Sequence, residues 1–212
     1  MRNSAVNSIM TAVAFCDMGT MGSYLIYIWN FVIKKYPNTC SNNLTYLWMV
    51  FLFAHIFLSI VLHTTSLWLA VAMAFMRRMT LRVASLNSPW QKSNYAYRIS
   101  CGVFAAVFIL TIPTWYVHEI IVTPYKWATP ENCSRDDSSE IANVIYTINY
   151  NSIAKANGCG LFKANLWMTG IIFKVIPCFF LICLSSSLMA RLHNAEKKHQ
   201  LLLVSNGSDS VK

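Results

Sequence analysis

Asp17 is a carboxylate set deep in an apolar run from Ser8 to Val32, and an ionisable group in such a place marks a chemical task by default. It lies nine residues into that run, hence ~14 Å along a helix. In a second apolar run, Ser66 precedes Arg77 by eleven residues and so lies ~16 Å from the arginine end. On neighbouring helices the carboxylate and the hydroxyl would be level. Their oxygens suit a small hard cation such as sodium, or a shared water. The alternative is a protonated Asp17 hydrogen-bonded to another helix, and spacing leaves both open.

Lys174 stands three residues before Pro177 in the last apolar run. It either snorkels to the membrane interface or faces a polar cavity and meets an acidic group of a ligand. Pro177 removes a backbone hydrogen bond and bends its helix, which makes it a candidate moving part. His55 and His63 are eight residues apart, ~12 Å along a helix, too far to share a metal ion, so polar packing is their expected role. Cys178 and Cys183 point to different helix faces and favour neither a disulfide nor a metal. Cys40, Cys133 and Cys159 fall between the apolar runs, where a disulfide from Cys40 to either of the others suits an oxidising compartment. No catalytic constellation emerges. His118-Glu119 lacks the second histidine of a zinc-protease helix, and Gly158-Cys159-Gly160 does not continue into a phosphate-cradling loop. The sequence therefore reads as a non-enzyme with no cofactor beyond a candidate sodium ion.

These residues need elements to hold them. The 212 residues are 56% hydrophobic and 12% charged, about half the charged share of a soluble domain, so the chain has more apolar surface than its own core could hide. Four stretches, 8–32, 46–76, 99–122 and 165–192, are long enough for a hydrocarbon core that takes roughly 20 helical residues. None alternates as a barrel strand would. The expected fold is an all-α membrane protein of four transmembrane helices, with a long loop at 123–164 and a tail at 193–212.

Arg77, Arg78, Arg82, Lys92 and Arg98 separate the second and third spans, and Arg191, Lys197 and Lys198 follow the fourth, which makes these segments cytoplasmic. Lys34 and Lys35 run against this assignment. Both termini are then expected in the cytoplasm and the 123–164 loop outside. The sequons at Asn43 and Asn132 fall on the outer side, as glycosylation requires. The first span is expected to remain as an anchor, because Asp17 interrupts it and it outruns a signal-peptide core. The net charge of +9 is accounted for by orientation and anionic lipid, so nucleic acid is not an expected partner.

The run from His63 through Ser66, Trp68 and Ala74 to Met76-Arg77-Arg78 resembles the third helix of rhodopsin-like receptors of nematode serpentine class w, which are similar to FMRFamide and myosuppressin receptors. Asn7 to Tyr24, with Cys16-Asp17, resembles the family's second helix, and Phe173 to Cys178, with Pro177, its fifth. The resemblance implies helices two to five of a seven-helix receptor, a partial bundle forming one domain over residues 1–212. It makes Asp17 and Ser66 members of an allosteric sodium site, Arg77 with its neighbour Arg78 the point of G-protein coupling, and Pro177 the activation bend.

Cys40 becomes the anchor of an external disulfide, with Cys133 favoured as partner because Val144 to Tyr150 alternates like a hairpin strand, and Cys159 as the alternative. Ligand-pocket candidates are His63, Glu119 and Lys174. With Glu131, Asp136, Asp137 and Glu140 in the outer loop, Glu119 would attract a peptide ending in an amidated Arg-Phe. Met76 and Arg78 depart from the acid and aromatic residue that usually flank the signature arginine, and no tryptophan lies near Val103. The resulting expectation is a plasma-membrane receptor for a neuropeptide or chemosensory ligand, coupling to a heterotrimeric G protein. The alternatives are a four-span adaptor or dominant-negative regulator that binds other receptor chains, and a small transporter.

Overall fold

No Asp, Glu, Lys or Arg occurs between Tyr46 and Met76, so in a bilayer the backbone there must satisfy its own hydrogen bonds, and a helix does so within one segment. The computed structural model, which describes residues 5–33, 45–82, 92–126 and 144–209, shows how the chain meets that demand. The elements are α1 (Ala5–Tyr27) with a π-helical segment at Ile28–Ile33, α2 (Tyr46–Arg82), α3 (Ser93–Val117), β1 (His118–Lys126) and β2 (Val144–Tyr150). They are followed by α4 (Ser152–Trp167), a second π-helical segment (Met168–Val175) and α5 (Ile176–Asp209). Among the described residues, four stretches are long and apolar enough to cross a membrane: Ala5–Ile33, Tyr46–Thr80, Ser93–Val117 and Gly158–Lys197. The chain is a multi-pass membrane bundle.

The four expected spans are all present, but the ends of the last two lie elsewhere. Residues 118–122, expected to finish the third helix, begin a strand. The run Ile120-Ile121-Val122-Thr123 is β-branched throughout and pairs antiparallel with β2, in register from His118 opposite Tyr150 to Val122 opposite Tyr146. The Asn151 N–H donates to Val117 O at 2.9 Å, which satisfies a carbonyl at the helix end. β2 coincides with the alternating segment Val144 to Tyr150. Its Tyr146 ring meets Tyr46 at 5.5 Å, docking the hairpin on the start of α2.

The fourth span begins earlier than expected, because Asn151 caps α4 by accepting from the Ile153 N–H. The expected loop at 123–164 therefore holds part of β1, all of β2 and most of α4. Helix also continues past 192 to Asp209, through Ala195, Glu196, Lys197 and Gln200, all good helix formers.

α1 packs along α2, α3 lies against both, and α5 packs on α2. Ile9, Leu69, Met76 and Ala96 form the buried cluster at the Arg77 end. Midway along the interface, a Cβ on Gly19 would stand 2.9 Å from Leu62 Cδ1, so the missing side chain is what lets α1 and α2 approach. Polar links fix the neighbours. Ser8 and Ser93 share a hydrogen bond of 2.6 Å between α1 and α3, and the Thr114 hydroxyl donates to Asn165 Oδ1 at 2.9 Å between α3 and α4. Phe15, Leu25, Phe179 and Ile182 point outward, as lipid or further helices permit.

Candidate functional site

Asp17 and Ser66 meet as their depths imply: the Ser66 hydroxyl donates to Asp17 Oδ1 at 2.9 Å across the α1–α2 interface. Asp17 remains exposed on its other side, uncovered by any described residue. Two oxygens are thus held together on separate helices, a pair that could take part in binding a hard cation.

One turn away from this pair, on the side remote from Arg77, α1, α2 and the second π-helical segment surround a cavity of about 670 Å³. Ligand sites commonly span about 300–1,000 Å³. Thr20 and Tyr24 face it from α1, Ser59, His63 and Thr64 from α2, and Thr169 and Lys174 from the π-helical segment. Ser59 Oγ approaches the Tyr24 hydroxyl at 3.5 Å, a long contact. Lys174 carries the one formal charge among these lining residues. The cavity therefore offers hydroxyl groups, an imidazole and a cation to whatever enters it.

Pro177 explains how Lys174 reaches that cavity. Its ring has no N–H and would clash with the carbonyl one turn back, and the ladder widens immediately before it. The Ile176 N–H reaches five residues back to Ile171 O. A π-helical segment thus precedes Pro177, and Pro177 and Phe173 are both buried.

The other sequence-derived candidates are dispersed. Arg77 is exposed and Arg78 half-buried near the end of α2. Glu119 lies in β1 opposite Asn149, outside the lining of the cavity that His63 and Lys174 share. Cys159 has a free thiol, with a left-handed φ of 61° that a non-glycine residue seldom adopts. Cys40, Cys133, Asn43 and Asn132 lie outside the described residues.

The cavity hydroxyls went unremarked in the sequence, although a signal was there. Thr20 with Tyr24 and Ser59 with His63 are each four apart, which places each pair on one helix face. His55, expected to make polar contacts, is instead buried among rings. It stacks on Tyr27 at 5.4 Å and Phe51 at 6.1 Å and takes Tyr24 edge-on at 4.7 Å, while its Nδ1 has no hydrogen-bond partner among the described residues.

The carboxylate–hydroxyl pair and the polar cavity thus lie one turn apart in the bundle. The chain is 31% identical over 202 residues to the G-protein coupled receptor dmsr-1 of Caenorhabditis elegans, a match covering 93% of this chain and 38% of that protein. The chain thus spans well under half the length of this curated relative. A family model described as the serpentine type 7TM GPCR chemoreceptor Srw matches residues 1–212, and the chain belongs to that family.

Proposed function

We propose that this chain forms helices two to five of a plasma-membrane peptide receptor whose cavity between α1, α2 and the π-helical segment receives the ligand. The observation that carries this reading is the placement of the cavity one turn from the Asp17–Ser66 hydrogen bond, on the same two helices. A ligand that packs better against one arrangement of these helices shifts the population toward it, without any chemical step. Asp17 and Ser66 would hold a sodium ion favouring one of the two arrangements. Arg77, with Arg78 beside it, would meet a heterotrimeric G protein in the cytoplasm, where both termini lie.

For the ligand we propose a peptide ending in an amidated Arg-Phe. Glu119 on the hairpin would attract its arginine, and His63 and Lys174 in the cavity would hydrogen-bond its carbonyl oxygens. A Cys40–Cys133 disulfide would tether the hairpin loop, and glycans at Asn43 and Asn132 would mark the outer surface. Family membership favours this reading over the adaptor and transporter alternatives.

The test is nucleotide exchange on purified G protein, measured with this chain in lipid nanodiscs and a panel of amidated Arg-Phe peptides, both alone and co-assembled with the remaining helices of the relative. Peptide-dependent exchange that disappears in Arg77→Ala and weakens about tenfold or more in Glu119→Gln supports the proposal. Exchange that ignores both changes, or no response in either format, overturns it.

A further inference from the structure

The cavity between α1, α2 and the second π-helical segment is unevenly charged. Lys174 is the one formal charge among its lining residues, whereas Asp17, the carboxylate of α1, lies outside that lining with Ser66 on its Oδ1. The hydroxyls sort into two kinds. Thr20 donates to Cys16 O at 3.0 Å and Thr169 to Asn165 O at 2.9 Å, so these two have no proton left for a ligand. The Tyr24 hydroxyl accepts the long contact from Ser59 and keeps its own proton to donate, and Lys174 and His63, both exposed, add N–H groups. Donors outnumber free carboxylates in this lining, and the strongest donor is a cation.

We propose that Lys174 makes the cavity a subsite for an acidic side chain of the peptide, an aspartate or glutamate placed about six residues before the arginine of its amidated Arg-Phe end. The inference rests on the reading that the cavity receives the peptide, and it fixes which part of the peptide enters. The arginine is excluded, because it would meet the like charge of Lys174 with no lining carboxylate to pair it. A backbone carbonyl would accept one hydrogen bond and leave the ammonium without a counter-charge. A carboxylate supplies that charge and has lone pairs enough for Lys174, Tyr24 and His63 together.

The spacing follows from the levels of the helices. The chain climbs α3 into the hairpin and returns from it through α4, and the Thr114–Asn165 hydrogen bond holds those two residues at one level. From there Lys174 lies nine positions down the last span, ~13 Å, and Glu119 lies five positions the other way, in β1. The cation of the cavity and the carboxylate of the hairpin are thus roughly 20 Å apart along the bundle axis, a gap that an extended peptide covers in about six residues. A peptide with its acid at Lys174 therefore presents its arginine at the height of Glu119.

Direct binding to the chain in lipid nanodiscs, followed by fluorescence anisotropy, tests this without a G protein. The probes are acetylated, alanine-spaced peptides ending in amidated Arg-Phe, with one aspartate about six or about two residues before the arginine, each paired with its asparagine twin. In the wild type the aspartate at the longer spacing should bind about tenfold or more tightly than its twin, and the shorter spacing should show little of this gain. Lys174→Gln should weaken the aspartate peptide to the level of its twin and leave the twin unchanged, which also reports an intact fold. Lys174→Arg should keep most of the gain, and Lys174→Glu should instead prefer a peptide with lysine in place of the aspartate. A wild type that does not distinguish aspartate from asparagine, a gain equal at both spacings, or a gain that survives Lys174→Gln overturns the inference and leaves the receptor reading standing. Peptides that fail to bind the wild type at all overturn that reading, and the inference with it.

Discussion

Ser66 donates to Asp17 across the α1–α2 interface at 2.9 Å, joining a carboxylate and a hydroxyl 49 positions apart in the chain. Removing the donor leaves Asp17 without this partner. Hydrogen bonds between membrane helices contribute roughly 0.6 kcal/mol on average and up to about 1.7, so Ser66→Ala should destabilise by about 1 kcal/mol. Asp17→Asn, which keeps an acceptor, should cost less than Asp17→Ala. A double-mutant cycle read by thermal unfolding in detergent checks the coupling, and additive single effects would exclude it. If the pair contributes to sodium binding, added sodium chloride should raise the wild-type thermal midpoint relative to potassium chloride, and Asp17→Asn should erase the difference.

Gly19 gives a graded prediction. A Cβ there meets only the terminal Cδ1 of Leu62, the far end of a flexible side chain. Gly19→Ala should therefore cost less than about 1 kcal/mol, whereas Gly19→Ile should separate α1 from α2 and cost about 1–3 kcal/mol. Leu62→Ala should restore part of the stability lost in Gly19→Ile but should not stabilise the chain that keeps Gly19, as measured by thermal unfolding.

Thr114 and Asn165 join α3 to the helix that follows the hairpin, with Thr114 itself buried. Thr114→Val should destabilise by about 1–2 kcal/mol because the asparagine carbonyl loses its donor. Replacing both, as Thr114→Val with Asn165→Leu, should be closer to neutral than the sum. A double variant as costly as that sum would show that the hydrogen bond does not couple the two positions.

Pro177 holds the π-helical segment open. In Pro177→Ala the backbone regains a donor, and Met168–Val175 is expected to tighten toward α-helix, turning Lys174 and Thr169 by about 100° relative to the rest of the bundle. Stability should rise or stay level while the cavity changes shape. A cysteine placed at residue 174 should then react with a water-soluble thiol reagent at a rate at least several-fold different from that seen with Pro177 present, in a background where the native cysteines are replaced.

Much of this arrangement could be read from the residues in order. The absence of charge from Tyr46 to Met76 required a spanning helix, and counting turns from Arg77 put Ser66 level with Asp17 before any packing was known. The alternation in Val144 to Tyr150 marked a strand. These features depend on hydropathy and helical rise, which act along a single segment. Three others required the assembled bundle. Residues 118–122 are apolar enough to continue a helix and became strand because β2 offered them a partner. Lys174 faces a cavity because Pro177 widened the ladder before it. His55 is buried under the rings of Tyr24 and Tyr27 because α1 packs along α2. A helix or strand signal is local, whereas a cavity and a buried ring are properties of surfaces brought together by parts of the chain that are distant in sequence.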